Sequence, residues 1–132
     1  MSYYHSRTLS GTFDGVVAAT VAALGEQGFG VLTDIDVAAT MKKKLGAEMR
    51  PYRILGACNP QMAFRALQAE THIGTMLPCN VLVIEREDGS IEVAAVDPVA
   101  SMQAIANPDL AETAAAVGAS LRRAVDAIVP AA

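Results

Sequence analysis

The chain has 132 residues, which fits one domain spanning residues 1–132 and is long enough to bury a core without a disulfide or a metal. Its 14 acidic and 10 basic residues give a net charge of −4, so phosphate backbones and anionic lipids are not attracted to it. We therefore expect neither nucleic acid nor a membrane as a partner. The composition is 52% hydrophobic with no Trp, so Val, Ile, Leu, Ala and Met must supply most of the core.

The first seven residues lack the apolar segment of a signal peptide, and no window approaches the roughly 18 apolar residues of a membrane span. These features predict a cytoplasmic protein. Cys58 and Cys79 are the two cysteines. In a reducing compartment they would be thiols, metal ligands or a transient redox pair rather than a structural disulfide.

Helices are predicted where a capping side chain precedes a run of apolar residues at helical spacing. In three cases a proline follows the cap, at the first helical position that proline favours. The expected helices begin after Thr12 (ending near Gly28), Asp36 (through Leu45), Asn59 (to about Glu70), Asp97 (through Ile105) and Asn107 (ended by Pro130).

Strands are predicted over residues 3–9, 29–37, 52–58, 80–86 and 91–97. The second alternates Phe29, Val31, Ile35 and Val37 with more polar residues, which is typical of a strand with one buried face. The continuous apolar run of residues 81–84 favours a central strand covered on both faces. The order of elements predicts a two-layer α/β (α+β) sandwich, with a mixed or mainly antiparallel sheet and helices mainly on one face.

Asp88 and Gly89 are typical of a two-residue hairpin loop between the last two strands. That loop would place Ile84 opposite Val93, Leu82 opposite Ala95, Asn80 opposite Asp97 and Glu85 opposite Glu92. The remaining uncovered face of the sheet, together with the apolar composition, favours a homodimer.

Each cysteine is followed by an asparagine and has a proline within two residues. Cys58 immediately precedes a helix start, whose partial positive charge suits a nucleophilic or metal-binding thiol. If the connector of residues 71–78 doubles back, the side chains of Cys58, Asn59, Cys79, Asn80 and Asp97 converge in a small polar pocket. If the flanking strands instead run parallel, the two cysteines lie at opposite ends of the sheet, and the sequence does not decide between these geometries.

No metal site is indicated, because the weak candidates Cys58, Cys79 and His72 do not form a close-spaced ligand pattern. The glycines at positions 25, 28 and 30 span a helix end and a strand start, which is the reverse of the order in a nucleotide-binding loop. No Ser-His-Asp arrangement is readable, and the sequence identifies no cofactor.

The segments Cys58-Asn59-Pro60, Leu77-Pro78-Cys79-Asn80 and Asp97-Pro98, with residues 28–33 and 52–57 before them, resemble Domain of Unknown Function family 302. The resemblance covers nearly the whole chain. It implies a compact α/β domain that is often dimeric, and it transfers no catalytic residue.

Three hypotheses follow. The first is a module that binds a small ligand or a metal in a pocket near Cys58 and Cys79. The second is a thiol-dependent redox or transfer enzyme in which Cys58 attacks and Cys79 resolves. The third is a purely structural role for the Cys-Asn motifs, so the sequence leaves open whether the protein is an enzyme.

Overall fold

The structure, a computed structural model, describes residues 2–130. Five strands form one sheet: β1 (Tyr4–Leu9), β2 (Gly30–Asp36), β3 (Tyr52–Cys58), β4 (Cys79–Glu85) and β5 (Ile91–Val96). Their order across the sheet is β1-β5-β4-β3-β2, and every neighbouring pair is antiparallel. The helices are α1 (Phe13–Glu26), α2 (Val37–Leu45), α3 (Pro60–Ala69), α4 (Pro98–Ser101) and α5 (Asp109–Asp126), with a 3-10 helix over Thr71–Met76. The predicted two-layer α+β fold is confirmed.

Four helices start where the capping side chains predict, whereas α5 starts at Asp109, with Pro108 and not Asn107 at its N-cap position. Thr12 Oγ1 accepts a hydrogen bond from Gly15 N, Asp36 Oδ1 from Ala39 N and Asn59 Oδ1 from Met62 N. The helix predicted to run through Ile105 is only the single turn of α4. The last helix ends at Asp126, before Pro130.

The main core lies between the sheet and the layer formed by α1 and α5. Alternate residues of the strands, such as Leu55, Val81 and Val93, are fully buried on this side. They pack against apolar residues of α1 and α5, including Leu24 and Leu121. This burial supplies the main driving force for folding.

Arg7 of β1 fastens the end of α5 to the sheet. Its Nη1 donates hydrogen bonds to the carbonyl oxygens of Val125, Asp126 and Ile128 at 3.2, 3.0 and 2.8 Å. A guanidinium at this position satisfies carbonyl groups that a helix C-terminus leaves unpaired, and its charge is favourable there. The contact attaches the C-terminal end of α5 to β1.

The predicted hairpin register is wrong by one residue. Arg86 N donates to Ser90 O at 2.8 Å, so the loop has three residues, with Gly89 at a φ of +85°. Consequently Ile84 pairs with Glu92, Leu82 with Ala94 and Glu85 with Ile91. The expected pairings of Asn80 with Asp97 and of Glu85 with Glu92 do not occur.

The prediction of a buried face along β2 is also wrong. The pairing of β2 with β3 shifts between Val31 and Thr33, so Leu32 is bulged out and the alternation reverses beyond it. Ile35 is 48% exposed, and of the strand only Val31 packs against the core. A strand at the sheet edge with a bulge cannot keep one continuous face under the helices.

The second face of β4 is not covered by helices, contrary to the prediction for residues 81–84. Val81 and Val83 are buried under α1 and α5, whereas Leu82 and Ile84 are half-buried on the other side of the sheet. We call this other side the open face. Leu82 and Ile84 have Ile54, Ala94 and Val96 as neighbours on the open face, so this face is largely apolar.

Candidate functional site

Cys58 and Cys79 lie at the same end of the sheet. Cys58 is the last residue of β3 and Cys79 is the first residue of β4, and Ala57 pairs directly with Cys79. The antiparallel arrangement decides between the two geometries that the sequence left open, because the connector between the strands doubles back. Both cysteines are free, Cys58 half-buried and Cys79 buried.

A half-open cavity of about 270 Å³ lies at this end of the sheet, bordered by the end of β3, α3, α4 and the first half of α5. We call it the thiol cavity, because both cysteines line it. Its wall is otherwise mainly apolar and consists of Phe29, Leu32, Ala57, Cys58, Asn59, Met62, Ala63, Ala66, Leu67, Leu77, Pro78, Cys79, Pro98, Met102, Leu110, Thr113, Ala114 and Val117.

The thiol cavity separates two groups of packed residues. The main core under α1 and α5 reaches its wall at Phe29, Ala57 and Cys79. A smaller cluster of Ala66, Ile73 and Leu110 closes the other side. On this second side, Asn107 Nδ2 donates a hydrogen bond to Ala69 O at 2.8 Å. This hydrogen bond connects the segment before α5 to the end of α3.

Burial raises the pKa of the Cys79 thiol to about 11, and the proximity of Cys58 contributes to the increase. Desolvation disfavours the charged thiolate, so Cys79 is a neutral thiol at pH 7. Within the described part of the wall no side chain carries a formal charge.

Of the five predicted site residues, three line the cavity and two do not. Cys58, Asn59 and Cys79 are in its wall. Asn80 is exposed on the open face, since successive residues of a strand point to opposite sides of the sheet. Asp97 is used for structure: its Oδ1 accepts from Val99 N at 3.0 Å to cap α4, and its Oδ2 lies 3.3 Å from Arg122 Nη2.

Asn59 both caps a helix and lines the thiol cavity. Its Oδ1 caps α3 through Met62 N at 3.3 Å, and its side chain also lines the cavity. His72, the third weak metal candidate, is exposed on the 3-10 helix and is outside the cavity wall. Residues 2–130 contain no group of three or more His, Cys, Asp or Glu side chains that could hold a metal ion.

Sequence reasoning missed the apolar residues that shape the cavity. Met62, Ala63, Ala66 and Leu67 share one side of α3, and their helical spacing marks an apolar stripe. The small size of Ala63, Ala66 and Ala114 is what leaves space unfilled. The sequence signal was therefore present, but it predicts an apolar face and not whether that face is filled.

The family model for the domain of unknown function DUF302 matches residues 5–128. The chain belongs to this family. A crystal structure of an uncharacterized conserved protein of the family, from Bacillus stearothermophilus, is similar over 98% of this chain and 100% of that one, with 26% identity and a TM-score of 0.90. No curated protein is significantly similar to the chain. In the described range, no helix has the length and apolar character needed to cross a membrane.

Proposed function

We propose that this domain binds a small, largely apolar molecule in the thiol cavity. The observation that carries the proposal is a preformed cavity of about 270 Å³ with a mainly apolar wall and a few polar groups. Small-molecule sites in proteins have this composition, in which apolar surface provides affinity and a few polar groups fix orientation. Asn59 and Thr113 are the polar residues of the wall besides the two thiols.

The size of the cavity limits the ligand. It exceeds the roughly 150 Å³ of an engineered apolar cavity that binds benzene, and it is slightly smaller than the roughly 300–1,000 Å³ of pockets for drug-sized ligands. A single aromatic ring or a short aliphatic chain fits these limits. With about ten non-hydrogen atoms, such a ligand would bind with a Kd of about millimolar to micromolar.

The test is a titration of ¹⁵N-labelled protein with indole and with hexanoate, followed by backbone amide chemical shifts. We expect saturable changes confined to α3, the start of β4 and the first half of α5. Ala114→Leu places extra volume in the cavity and should weaken binding at least tenfold. Ala115→Leu is the matched control, because Ala115 is the exposed next residue on the same helix.

Ala63→Leu repeats the cavity-filling test from α3, in case the α5 variant does not fold. Thermal melts establish that each variant is folded before its affinity is compared. Chemical shift changes that are absent at millimolar ligand would overturn the proposal. So would equal binding by the Ala114→Leu and Ala115→Leu proteins.

The thiol-dependent enzyme remains the alternative, because two free cysteines line one cavity. The raised pKa of Cys79 opposes it, since a neutral thiol is neither a good nucleophile nor a good leaving group. Titration of native thiols with and without reductant separates the alternatives. Reversible loss of two reactive thiols supports the enzyme, and two slowly reacting thiols support binding or the purely structural role.

We also propose that the protein is a cytoplasmic homodimer, with the open faces of two copies packed together. Strands of six or seven residues, at about 3.4 Å per residue and about 4.8 Å spacing, give a face of about 20 by 24 Å. Its flat area of about 480 Å² is smaller than the roughly 800 Å² that each partner buries in a standard stable complex, so residues around the edge of the face must also contribute to the interface. Light scattering should give twice the monomer mass, and Leu82→Lys at the centre of the face should give a monomer.

A further inference from the structure

Four sulfur atoms line the thiol cavity. The thiols are those of Cys58 and Cys79, and the thioethers are those of Met62 and Met102. The cavity is therefore apolar and also rich in soft, polarisable ligands, a combination that its proposed binding of an apolar molecule does not require.

Backbone geometry brings three of these residues to one place. Cys79 pairs across the strands with Ala57, so Cys58 is the next residue after its partner. Met62 lies in the first turn of α3, which begins directly after Cys58 and Asn59, and Met62 N is bonded to Asn59 Oδ1. Although strand alternation alone would direct Cys58 and Cys79 to opposite sides of the sheet, β3 ends at Cys58, and both residues reach the cavity wall.

Ligand chemistry selects the class of metal. Thiolate and thioether sulfurs are soft ligands that favour Cu(I), and imidazole and carboxylate groups that favour harder ions are not among the described wall residues. A structural zinc site would need four N, S or O ligands from the protein. We propose that Cys58 and Cys79, with Met62 as a third ligand, bind one soft monovalent cation, Cu(I) or its analogue Ag(I).

Binding must displace both thiol protons, because the thiolate is the ligand form of cysteine. One Cu⁺ and two thiols give a dithiolate complex with a net charge of −1 and two released protons, without any change in oxidation state. The N-terminus of the ten-residue α3 is next to Cys58, and its partial positive charge favours that negative complex. The wall residues that α3, α4 and α5 contribute to the cavity carry no formal charge.

The test uses the reduced, full-length protein under argon, titrated with Cu(I) in competition with a chromophoric Cu(I) chelator. We expect one Cu(I) per chain, release of two protons per metal, and an X-ray absorption spectrum with sulfur ligands only. Cys58→Ser and Cys79→Ser should each lose at least 100-fold in affinity. Met62→Leu should lose about fivefold, and Met49→Leu, at an exposed methionine away from the cavity, should lose nothing.

If the variant at the buried Cys79 does not fold, the Cu(I) affinity of Cys58→Ala still tests the proposal, because Cys58 is only half-buried. Affinity unchanged in the cysteine variants would overturn the proposal, and so would nitrogen or oxygen ligands in the absorption spectrum. The Met62→Leu variant retains the apolar volume of the cavity, so its binding of indole tests the proposed function separately. Failure of metal binding and failure of apolar-ligand binding are thus distinguishable.

Discussion

The two halves of α5 face very different surroundings. In the second half, Leu121, Ala124 and Val125 fill the space between α1 and the sheet and are almost completely buried. In the first half, Leu110, Ala114 and Val117 border the thiol cavity. One apolar stripe of α5 therefore completes a packed core at one end of the helix and borders a half-open, unfilled space at the other. Close packing is the normal state of protein interiors, so the unfilled end is the part that requires an explanation beyond stability.

Truncating one leucine in each half tests this contrast most strongly. Leu121→Ala should lower the free energy of unfolding by about 3–5 kcal/mol, because it opens a cavity in a close-packed region. Leu110→Ala, at an equally buried position, should cost only about 2 kcal/mol, because one side of Leu110 already lacks partner atoms. Urea unfolding measures both values. Equal losses would mean that the two halves of α5 are packed alike.

A substitution at Gly56 tests whether the end of β3 is tightly packed although it lies beside the thiol cavity. A Cβ at this position would clash with Thr33 Oγ1 and would lie 2.6 Å from Pro78 Cγ, and Pro78 is part of the cavity wall. Gly56→Ala should therefore cost about 2–3 kcal/mol through overpacking. Adding Thr33→Ala should restore part of the loss.

Gly25→Ala is the control for that experiment, because a Cβ on Gly25 of α1 meets nothing within 4 Å. This variant should stabilise the protein by about 0.5–1 kcal/mol through helix propensity. Chemical denaturation of the four proteins gives all the differences. An unchanged free energy of unfolding in Gly56→Ala would show that the residues around Pro78 move easily to accept the extra methyl group. The cavity would then not be preformed.

The sequence specifies the elements of this fold better than it specifies how they pair. The caps at Thr12, Asp36 and Asn59 predict three helix starts because each side chain satisfies backbone groups of its own helix. Pairing depends on single residues. The three-residue loop before Ser90 moves the hairpin register by one, and the bulge at Leu32 reverses the faces of β2.

The positions of the candidate site residues could be predicted only in part, for similar reasons. The paired motifs made Cys58 and Cys79 candidate site residues, but only the antiparallel pairing of β3 and β4 brings them to one end of the sheet. Asn80 follows Cys79 within a strand, so alternation alone argues that they face opposite sides. The volume of the thiol cavity depends on how far apart α3 and α5 lie, and no local pattern contains that distance.

The pH dependence of stability tests whether the cavity is dry. The pKa of Cys79 is raised to about 11 in the folded protein from an ordinary value of 9.0. Between these values the unfolded chain loses the thiol proton and the folded protein keeps it, so stability present below pH 9 is lost as the pH rises toward 11. The loss should reach about 1 kcal/mol by pH 10.

Denaturant midpoints at pH 8, 9 and 10 measure this effect in the wild type and in Cys79→Ala. The difference between the two slopes isolates Cys79 from the lysines and tyrosines that titrate in the same range. A cavity filled with water would solvate the thiolate and make the slopes equal. That result would remove the main distinction between the thiol cavity and an ordinary surface cleft.

The smallest effect is expected where the sheet is neither packed against helices nor part of the cavity. Beyond the bulge of β2, Arg53 Nε donates to Asp34 Oδ1 at 2.7 Å and Arg53 Nη2 donates to Asp34 Oδ2. The hydrogen bonds from Arg53 lower the pKa of Asp34. The stabilisation of the fold by this ion pair is therefore present above the ordinary carboxyl pKa of 3.8 and is lost as the pH falls below that value.

Because both side chains are partly exposed, the pair should contribute only about 0.2–1 kcal/mol at neutral pH. A double-mutant cycle of Asp34→Asn and Arg53→Gln, measured by urea unfolding at pH 7 and pH 3, gives the coupling energy. We expect a small coupling at pH 7 that decreases at pH 3 and with added salt, which screens exposed charges. A coupling as large as the loss in Leu121→Ala would mean that this edge of the sheet, and not the packing under α5, determines the stability of the fold.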